Sequence, residues 1–256
     1  AWSPRGGLNL RLGNLDAPVA VYFQASHSFK AATLDQLFDP HPFDDFQGGT
    51  FTISNPNLVP QEADNYELGI SQQGNRFRWE VLTYRMNVDN EIDFDPATFS
   101  YQNIGKSLHQ GVEAGARVTF GAVSPFLSYA WTRVESRTGE HEGKQLKNIP
   151  EQLLRAGLAV TLPAGFEATA IWTYMAERWL DDDNLIPLGS ASVVDLRIAK
   201  SFGPLRARLD LSNLTDTKYS QYGFGIFGFE GEQVPYYYPG ARFGARVGVD
   251  WKIGGQ

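Results

Sequence analysis

Residues 205–212 read Leu-Arg-Ala-Arg-Leu-Asp-Leu-Ser, with an apolar side chain at every odd position and a polar one at every even position. Successive side chains of a β-strand point to opposite faces, so this stretch predicts a strand with one apolar and one charged face. In a helix, Arg206 and Leu209 would lie on the same side and no apolar stripe would form. The stretch therefore favours a strand that separates an apolar environment from a polar one.

The same two-residue alternation recurs in segment after segment of the chain. In the last of these segments, the row that contains Val247 is apolar and the row that contains Arg246 is charged. Alternation of this kind predicts strands rather than long helices. The eleven predicted strands lie near residues 5–12, 18–27, 64–73, 76–88, 107–120, 124–136, 150–162, 166–180, 191–202, 205–213 and 241–253.

The predicted connections alternate without exception between short turns and long loops. Most of the short ones are rich in glycine and proline, which are common in tight turns. The short turns lie near residues 13–17, 74–75, 121–123, 163–165 and 203–204, and the long loops near 28–63, 89–106, 137–149, 181–190 and 214–240. A meander with short turns at one end and long loops at the other is typical of an outer-membrane β-barrel.

Composition excludes several classes of protein. The chain has 256 residues, a formal net charge of −7 and no cysteine, which argues against disulfide scaffolds, thiolate zinc sites and nucleic-acid-binding proteins. Its mean hydropathy is below zero, as in many soluble proteins. Soluble strands are usually about 5–6 residues long, whereas most of those predicted here suit the roughly 9–11 residues that cross a bilayer. The mean hydropathy is then the average of an apolar row that faces lipid and a charged row that faces the lumen.

Aromatic residues support a membrane barrel, because aromatic girdles mark the two interfaces of such barrels. They lie near predicted strand ends at Phe120, Trp131, Tyr174, Trp179, Phe202 and Trp251. Charged residues in the middle of strands are expected to pair across neighbouring strands inside the lumen. The predicted fold class is therefore all-β, an antiparallel up-and-down transmembrane β-barrel. A soluble binding module, the competing interpretation, would expose its apolar row to water and aggregate.

The predicted strand count is odd, whereas single-chain bacterial barrels usually have an even number of strands. Either one strand escapes the pattern or the chain is part of a larger barrel. Eleven strands are half of a 22-stranded transporter barrel. We therefore expect about 11 strands of a 22-stranded barrel, in a chain that begins within an outer loop.

Five short strings, taken in chain order, carry a family resemblance. Residues 29–38 read FKAATLDQLF, 55–69 read NPNLVPQEADNYELG, 101–113 read YQNIGKSLHQGVE, 212–219 read SNLTDTKY and 238–242 read YPGAR. In this order they resemble segments of the C-terminal half of the barrel of TonB-dependent outer-membrane receptors. The resemblance implies that residues 1–256 are the C-terminal β-barrel portion of such a receptor. The plug domain, the TonB box and the N-terminal barrel strands are then expected to be absent from this chain.

For function, the resemblance implies active transport rather than covalent chemistry. Such receptors lie in the bacterial outer membrane, bind a scarce ligand such as a ferric siderophore, haem or cobalamin at their extracellular loops, and import it with energy supplied by TonB. The implied partners are outer-membrane lipid, the imported ligand and the TonB complex through the missing N-terminal parts, with no nucleic acid. No enzyme activity, catalytic residue or cofactor is expected. The alternative is a complete, passive outer-membrane pore of about 10–12 strands.

Two of the long loops contain candidate ligand contacts. In loop 28–63, His41 and Phe43 lie between two of the family strings, and an imidazole is a common haem ligand. Loop 214–240 is unusually aromatic, and its rings could stack on a planar ligand or bury an apolar one. Its candidates are Tyr222, Phe224, Phe227 and Tyr236. The alternative without a ligand is that His41 is an ordinary residue of a polar loop and that the aromatic rings of loop 214–240 pack on one another.

Two acidic clusters could bind a hard cation through carboxylate oxygens. They are Asp181–Asp183 and the stretch 140–142, which reads Glu-His-Glu. Neither has the ligand spacing of an EF-hand, so we interpret both as solvated charge and predict no metal site. The sequence nominates no Ser/His/Asp arrangement for nucleophilic catalysis, so an outer-membrane enzyme has no candidate site.

Overall fold

One antiparallel sheet of eleven strands dominates the molecule. The computed structural model describes residues 2–13, 16–44, 49–95, 98–227 and 233–252. Strands that are neighbours in the sheet are also successive among the eleven in chain order. They are β1 (Arg5–Leu12), β2 (Val19–Lys30), β3 (Gln61–Gln73), β4 (Phe77–Asp89), β5 (Ser107–Val118), β6 (Val123–Ser136), β7 (Gln152–Leu162), β8 (Phe166–Met175), β9 (Ala191–Phe202), β10 (Leu205–Ser212) and β11 (Gly244–Trp251). The sheet is an up-and-down meander, as the alternating pattern predicts.

All eleven predicted strands are confirmed, and their limits differ by a few residues. β2 runs to Lys30 and β3 begins at Gln61, so both extend past the predicted ends at 27 and 64. β8 ends at Met175 rather than at 180, because the chain then leaves the wall to form a separate hairpin. β11 covers Gly244–Trp251 instead of 241–253, and residue 253 lies outside the described residues.

The two faces of the wall differ as the sequence pattern predicts. On one face Leu209 pairs with Ile198 of β9 and with Val247 of β11, and Val247 remains 76% exposed. On the other face Arg208 Nη1 lies 3.1 Å from Asp250 Oδ2 of β11, so a predicted cross-strand charge pair is confirmed. A soluble sheet would bury its apolar row. An exposed apolar row opposite a charged one fits a wall between lipid and lumen.

A large inward-facing side chain requires a small neighbour on the next strand. The Tyr22 hydroxyl of β2 donates a hydrogen bond to Glu67 Oε1 of β3 at 2.6 Å. The Tyr22 ring lies over Gly69, where an added Cβ would be 2.2 Å from a ring carbon. Glu67 and Gly69 belong to the family string at 55–69, which therefore determines how β2 packs on β3.

All five long connections leave the same end of the sheet. They are loops L1 (31–60), L2 (90–106), L3 (137–151), L4 (176–190) and L5 (213–243). L1 contains the short helix α1 (Leu34–Phe38), and four loops contain a two-stranded hairpin in their described residues. The hairpins pair Phe43–Asp44 with Thr50–Phe51 in L1, Ile92–Asp95 with Ser100–Asn103 in L2, Arg178–Trp179 with Pro187–Leu188 in L4, and Ser220–Phe227 with Gln233–Pro239 in L5. No helix in the described part of the chain is long and apolar enough to cross a membrane.

The loop hairpins are absent from the sequence prediction, and one predicted position is wrong as a result. Trp179, assigned to an interfacial girdle, lies in the L4 hairpin outside the wall, where its carbonyl accepts a hydrogen bond from Asn148 N at 2.7 Å. At the opposite end, Phe120, Phe202 and Trp251 are more than half exposed beside the short turns. One of these turns is a 3₁₀ turn at Pro163–Gly165. The exposed rings fit a girdle at the turn end.

The sheet has two outer strands, β1 and β11. Among the described residues, each is hydrogen bonded to a neighbouring wall strand on one side only. Adjacent strands alternate in direction, so the first and the eleventh strands point the same way. Direct pairing of β1 with β11 would therefore be parallel rather than antiparallel.

An ion pair between two of the family strings closes the base of L5. Arg242 donates from Nε to Asp216 Oδ1 at 2.6 Å and from Nη2 to Oδ2, and Phe243 N donates to Oδ1 at 3.0 Å. The hydrogen bonds from Arg242, and secondly that from Phe243, lower the pKa of Asp216 from 3.8 to about 2. Asn213 Nδ2 adds a hydrogen bond to the Ala241 carbonyl at 2.9 Å. These contacts join the first residues of L5 to its last.

This ion pair predicts a pH dependence of L5. A carboxyl whose folded-state pKa is lowered stabilises the fold above its unfolded-state pKa, here near 3.8, and that contribution is lost as the pH falls through about 2. The Asp216→Asn variant imitates the protonated carboxyl. Pepsin should therefore cut L5 of the wild type more slowly than L5 of the variant at about pH 4, and the two rates should converge towards about pH 2. Equal rates over the whole interval would show that the carboxylate does not hold the loop.

The close approach of Tyr22 makes Gly69 more sensitive to substitution than another inward-facing glycine. Gly69→Ala places a Cβ against a rigid ring, and overpacking of this kind lowers the free energy of unfolding by about 1–3 kcal/mol. At Gly115 the nearest atom to an added Cβ is Cγ of the flexible Glu80, at 3.6 Å. Gly115→Ala is therefore the matched control. Urea titration in detergent micelles compares the two, and equal midpoints would contradict the packing described here.

Candidate ligand-binding surface

Side chains of L3 and L4 hold one face of the L5 hairpin. Asn148 donates from Nδ2 to the Gly223 carbonyl at 2.8 Å, and an added Cβ at Gly223 would lie 2.9 Å from Cδ2 of Leu180. Arg178 is buried and donates from Nη2 to the Gln221 carbonyl at 2.7 Å. Burial lowers the pKa of the Arg178 guanidinium. Because side chains alternate along a strand, the residues on either side of Gly223 face away from this contact.

A buried lysine joins three of the loops. Lys147 of L3 has a side chain that is 10% exposed, and its Nζ lies 2.5 Å from Asp93 Oδ2 of L2 and 2.9 Å from Asp182 Oδ1 of L4. Burial alone would lower the pKa of Lys147, but the two carboxylates outweigh burial and raise it. The ammonium group therefore stays charged between two carboxylates. L2, L3 and L4 form one connected framework around it.

The acidic cluster at Asp181–Asp183 is structural, and its interpretation as solvated charge is wrong for two members. Asp181 is 3% exposed, and it accepts hydrogen bonds from the backbone N–H of Leu185 at 3.0 Å and of Ile186 at 2.7 Å. Asp182 pairs with the buried lysine. Buried charges of this kind are tolerated because they are hydrogen bonded or paired. Within the described residues, no three His, Asp or Glu side chains converge in the way a metal ion requires.

Aromatic rings from L1 and L2 form a continuous cluster. The ring centroid of Phe51 lies 5.9 Å from that of Phe43 and 5.3 Å from that of Phe99. The centroid of Phe94 lies 5.3 Å from that of Phe99 and 5.6 Å from that of Tyr101, and both pairs meet edge to face. This is a favourable arrangement for aromatic side chains. The rings therefore hold the L1 and L2 hairpins together.

The L5 hairpin contributes a second group of rings. Phe224 stacks on Tyr236 with centroids 5.8 Å apart and 13° between the ring planes. The centroids of Tyr222 and Tyr238 are also 5.8 Å apart, and the centroid of Phe224 is 6.0 Å from that of Tyr238. These four rings lie on the hairpin face opposite to Gly223. Tyr236 and Tyr238 are about half exposed, at 49% and 55%, so this face is open to solvent.

L3 places the second group of rings beside L2, because Lys147 pairs with Asp93 of L2 and the next residue, Asn148, holds Gly223 of the L5 hairpin. Burial, followed by the charge of Asp93, raises the pKa of the Tyr222 hydroxyl, and Lys147 and Tyr101 also act on it electrostatically. The described ring pairs join Tyr222 to Phe224 and Tyr238 of its own hairpin, so L2 and L3 act on its hydroxyl through their charges. We call the nine rings together the aromatic band, which comprises Phe43, Phe51, Phe94, Phe99, Tyr101, Tyr222, Phe224, Tyr236 and Tyr238. It consists of one group of rings in L1 and L2 and a second group in L5, both at the loop end of the wall.

The structure brings three of the six predicted contact residues together in the L5 hairpin and places a fourth in the L1–L2 group of rings. Phe43, Tyr222, Phe224 and Tyr236 belong to the aromatic band. His41 takes no part in the ring contacts described above, since its side chain is 83% exposed and its Nδ1 lies 2.5 Å from Asp39 Oδ1 of the same loop. The side chain of Phe227 lies outside the described part of the chain. Contact with a ligand stays a prediction for all six residues.

Five members of the band are absent from the predicted contact residues, namely Phe51, Tyr238 and the three from L2. Phe94 and Tyr101 are register partners across the L2 hairpin, and aromatic residues on both sides of a short turn are a signal that could have identified that hairpin. Phe99 has a φ of 54°, a left-handed conformation that bulky residues rarely adopt. Its position depends on the contacts around it rather than on local preference.

A cavity of about 270 Å³ lies between L2, L3 and L4. Its lining includes Phe94 and Ile104 of L2, His141 and Leu146 of L3, and Asp182 of L4. Small-molecule sites usually enclose about 300–1,000 Å³, so this cavity is small for a whole ligand. The aromatic band, which is more extensive and more exposed, is the stronger candidate surface.

A Ser–His–Glu cluster lies where L2 meets β5, and its geometry differs from that of a catalytic triad. His109 Nε2 lies 3.0 Å from Ser107 Oγ and 3.1 Å from Glu91 Oε2, and Ser107 also donates to Glu91. In a triad the serine and the carboxylate contact opposite nitrogens of the ring, whereas here one nitrogen faces both. Burial alone would raise the pKa of Glu91, but the hydrogen bonds from His109 and Ser107 lower it. The cluster fastens L2 to the wall.

Solved receptors and transporters share this fold. The ferric yersiniabactin uptake receptor from Yersinia pestis superposes with a TM-score of 0.70 at 17% identity, over 96% of this chain and 36% of its own. A ferric enterobactin receptor variant from Pseudomonas aeruginosa, in complex with enterobactin, gives 0.74 at 16% identity over 97% and 40%. A copper transporter gives 0.70 at 19% identity over 98% and 39%. This chain therefore spans less than half the length of each of these proteins.

The match to a protein family identifies the chain more specifically than the shared fold does. Residues 1–214, which include the first ten wall strands, match the family described as TonB dependent receptor-like, beta-barrel. The match covers most of the chain and locates the protein in the bacterial outer membrane, where barrels of this family reside. The chain therefore belongs to the TonB-dependent receptor-like β-barrel family.

Proposed function

We propose that this chain is part of an outer-membrane active-transport receptor, which binds a scarce ligand at its extracellular loops and imports it with energy supplied by TonB. The observation that carries the proposal is the aromatic band across L1, L2 and L5. In barrels of this class the long loops are extracellular and the short turns are periplasmic. The band then faces the medium from which the ligand arrives.

The band suits a ligand with flat, conjugated groups. Aromatic pairs contribute about 0.5–1.5 kcal/mol beyond the area they bury, so several exposed rings on one surface favour a planar partner. We propose a ferric siderophore, haem or a similar compound as the ligand class. Among the structural neighbours, one is in complex with enterobactin and another is a copper transporter, so the support for this ligand class comes from the rings alone. His41, which is exposed, is the candidate ligand for a haem iron.

The proposed activity is transport without covalent chemistry. Ser107, which carries the hydroxyl of the Ser–His–Glu cluster, is only 2% exposed. The His109 nitrogen that contacts this hydroxyl is the same one that faces the Glu91 carboxylate. A nucleophile must be accessible to its substrate and must have a base that is free to accept its proton. The cluster meets neither condition, which supports a structural role.

We propose that residues 1–256 form the C-terminal β-barrel portion of the receptor. Because β1 and β11 point the same way, an antiparallel barrel closes only if an odd number of strands is added between them. Eleven further strands meet this condition and give the 22 strands of transporter barrels. The plug domain, the N-terminal strands and the TonB contact would then belong to parts of the receptor outside this chain.

The alternative function, a complete small pore, fits the directions of the outer strands less well. An eleven-stranded barrel would pair β1 with β11 in parallel, whereas single-chain bacterial barrels are antiparallel with an even strand number. Two copies in the same membrane orientation would produce two such parallel junctions. The directions of the edge strands therefore favour a larger barrel.

Variants of the aromatic band test the proposal in the intact receptor. Phe224 and Tyr236 stack on each other, so replacing both by alanine should weaken uptake about tenfold at limiting ligand. Tyr237 is in the same hairpin, on the opposite face, and is 49% exposed, which makes Tyr237→Ala the matched control. Uptake is measured with iron-55 supplied as ferric enterobactin, ferric yersiniabactin or ferric citrate, and with haem, in cells with and without TonB.

The expected result is TonB-dependent accumulation of at least one probe, reduced in the double variant and preserved in the control. Equal losses in the double variant and in Tyr237→Ala would show that the band is not the contact surface. If cells with TonB accumulate none of the probes beyond cells without it, the proposed ligand class is wrong.

A further inference from the structure

A lysine interrupts the apolar outer row of the wall near the short-turn end. Lys200 of β9 lies in the same row as Ile198 and Phe202, and its register partners are Phe166 of β8 and Ala207 of β10. Only two residues separate it from the turn at 203–204. A lysine on the lipid-facing side is strongly unfavourable at the bilayer midplane and is tolerated near the interface. This position therefore lies at the level of lipid headgroups.

Two aromatic rings hold the Lys200 ammonium group at the surface. Its Nζ lies 4.4 Å from the ring centroid of Phe166 and 4.8 Å from that of Phe202, within the range of cation–π attraction. Phe166 and Phe202 are 38% and 54% exposed. The ion pairs found among the described residues do not include Lys200. The charge is thus positioned by the protein without a carboxylate partner from the described chain.

An apolar depression of about 300 Å³ adjoins this lysine. Ile198, Leu209 and Val247 line it together with the two phenylalanines. These aliphatic residues belong to the lipid-facing row of β9, β10 and β11. A cation at the headgroup level and an aliphatic groove beside it match the two ends of one kind of molecule, a lipid with an anionic headgroup.

We infer that this surface is a specific binding site for an anionic glycerophospholipid of the periplasmic-side leaflet. The lipid phosphate contacts the Lys200 ammonium group between the two rings, and an acyl chain lies in the groove that Leu209 and Val247 line. A cation–π pair orients the ammonium group before the lipid arrives, which distinguishes Lys200 from a freely moving surface lysine. The inference rests on the outer-membrane location of the family and not on ligand import, so its failure would leave the transport proposal unchanged.

Lys252 provides a matched control at the same end of the wall. It is exposed, and its backbone N–H donates to the Pro204 carbonyl at 2.9 Å in the turn that follows β9. It therefore lies close to the proposed site, without forming the cation–π contacts found at Lys200. Non-specific attraction to an anionic surface would affect Lys200→Gln and Lys252→Gln alike, whereas a built site would affect Lys200→Gln alone.

The test is lipid retention by the protein purified from the outer membrane and reconstituted in nanodiscs of phosphatidylglycerol or phosphatidylcholine. Native mass spectrometry counts the phosphatidylglycerol molecules that survive release from the disc. Lys200→Gln should reduce this number about fivefold, the effect expected for one cation near an anionic surface. Lys252→Gln should stay within about twofold of wild type, and Lys200→Arg should retain the lipid because a guanidinium also binds aromatic faces. Phosphatidylcholine retention should not depend on Lys200.

Two controls keep the result interpretable. Heat-dependent gel mobility reports whether each variant has folded, and Phe202→Leu removes one ring while keeping the surface apolar. If Lys200→Gln does not fold, a loss of phosphatidylglycerol in folded Phe202→Leu supports the site in its place. Equal retention by wild type and Lys200→Gln, equal loss in both lysine variants, or equal loss of both lipids would overturn the inference.

Discussion

Backbone hydrogen bonding in the absence of water is the constraint on which this structure depends. Inside the hydrocarbon core, every N–H and C=O group must find its partner in the protein, since each unpaired group costs several kcal/mol. The hydrogen bonds between neighbouring strands from β1 to β11 pair the backbone groups of the inner strands on both sides and those of the two outer strands on one side. The alternation of apolar and charged rows follows from this strand pairing, because a strand in a wall has one face towards lipid and one towards the lumen. The direction of the outer strands then determines what can close the wall.

Buried polar groups in the loops, at the end of the wall that faces water, likewise require partners within the protein. Each long loop connects two adjacent strands, so its two ends are held close together. Asp216 with Arg242 closes the base of L5, and Lys147 joins L2, L3 and L4 through two carboxylates. A charged group can be buried there because its partners are present from other loops. A surface that is held in this way requires less ordering when a ligand binds, which supports a role for the aromatic band in recognition.

The wall was predictable from the sequence, and most of the loop structure was not. Residues 205–212 alternate because each side chain has one environment, lipid or lumen, and that environment repeats every second residue. In the loops the environment depends on distant residues. Asp181 is buried because Leu185 and Ile186 offer backbone donors, and Trp179 leaves the girdle because the L4 hairpin forms outside the wall. Phe43, Tyr222, Phe224 and Tyr236 could be singled out by composition, but the contact of Phe43 with Phe99, and through it with Phe94, requires the folded loops.

The environment of each face of the wall can be measured directly in β10. A nitroxide label is placed at each position from 205 to 212 in the membrane-reconstituted protein, and its collision rates with oxygen and with a water-soluble nickel chelate are compared. We predict a two-residue period, with Leu205, Ala207, Leu209 and Leu211 accessible to oxygen in the lipid and Arg206, Arg208 and Asp210 shielded from it. Collision rates without a two-residue period, or with the charged row accessible to oxygen in the lipid, would contradict a wall with one lipid face and one lumenal face.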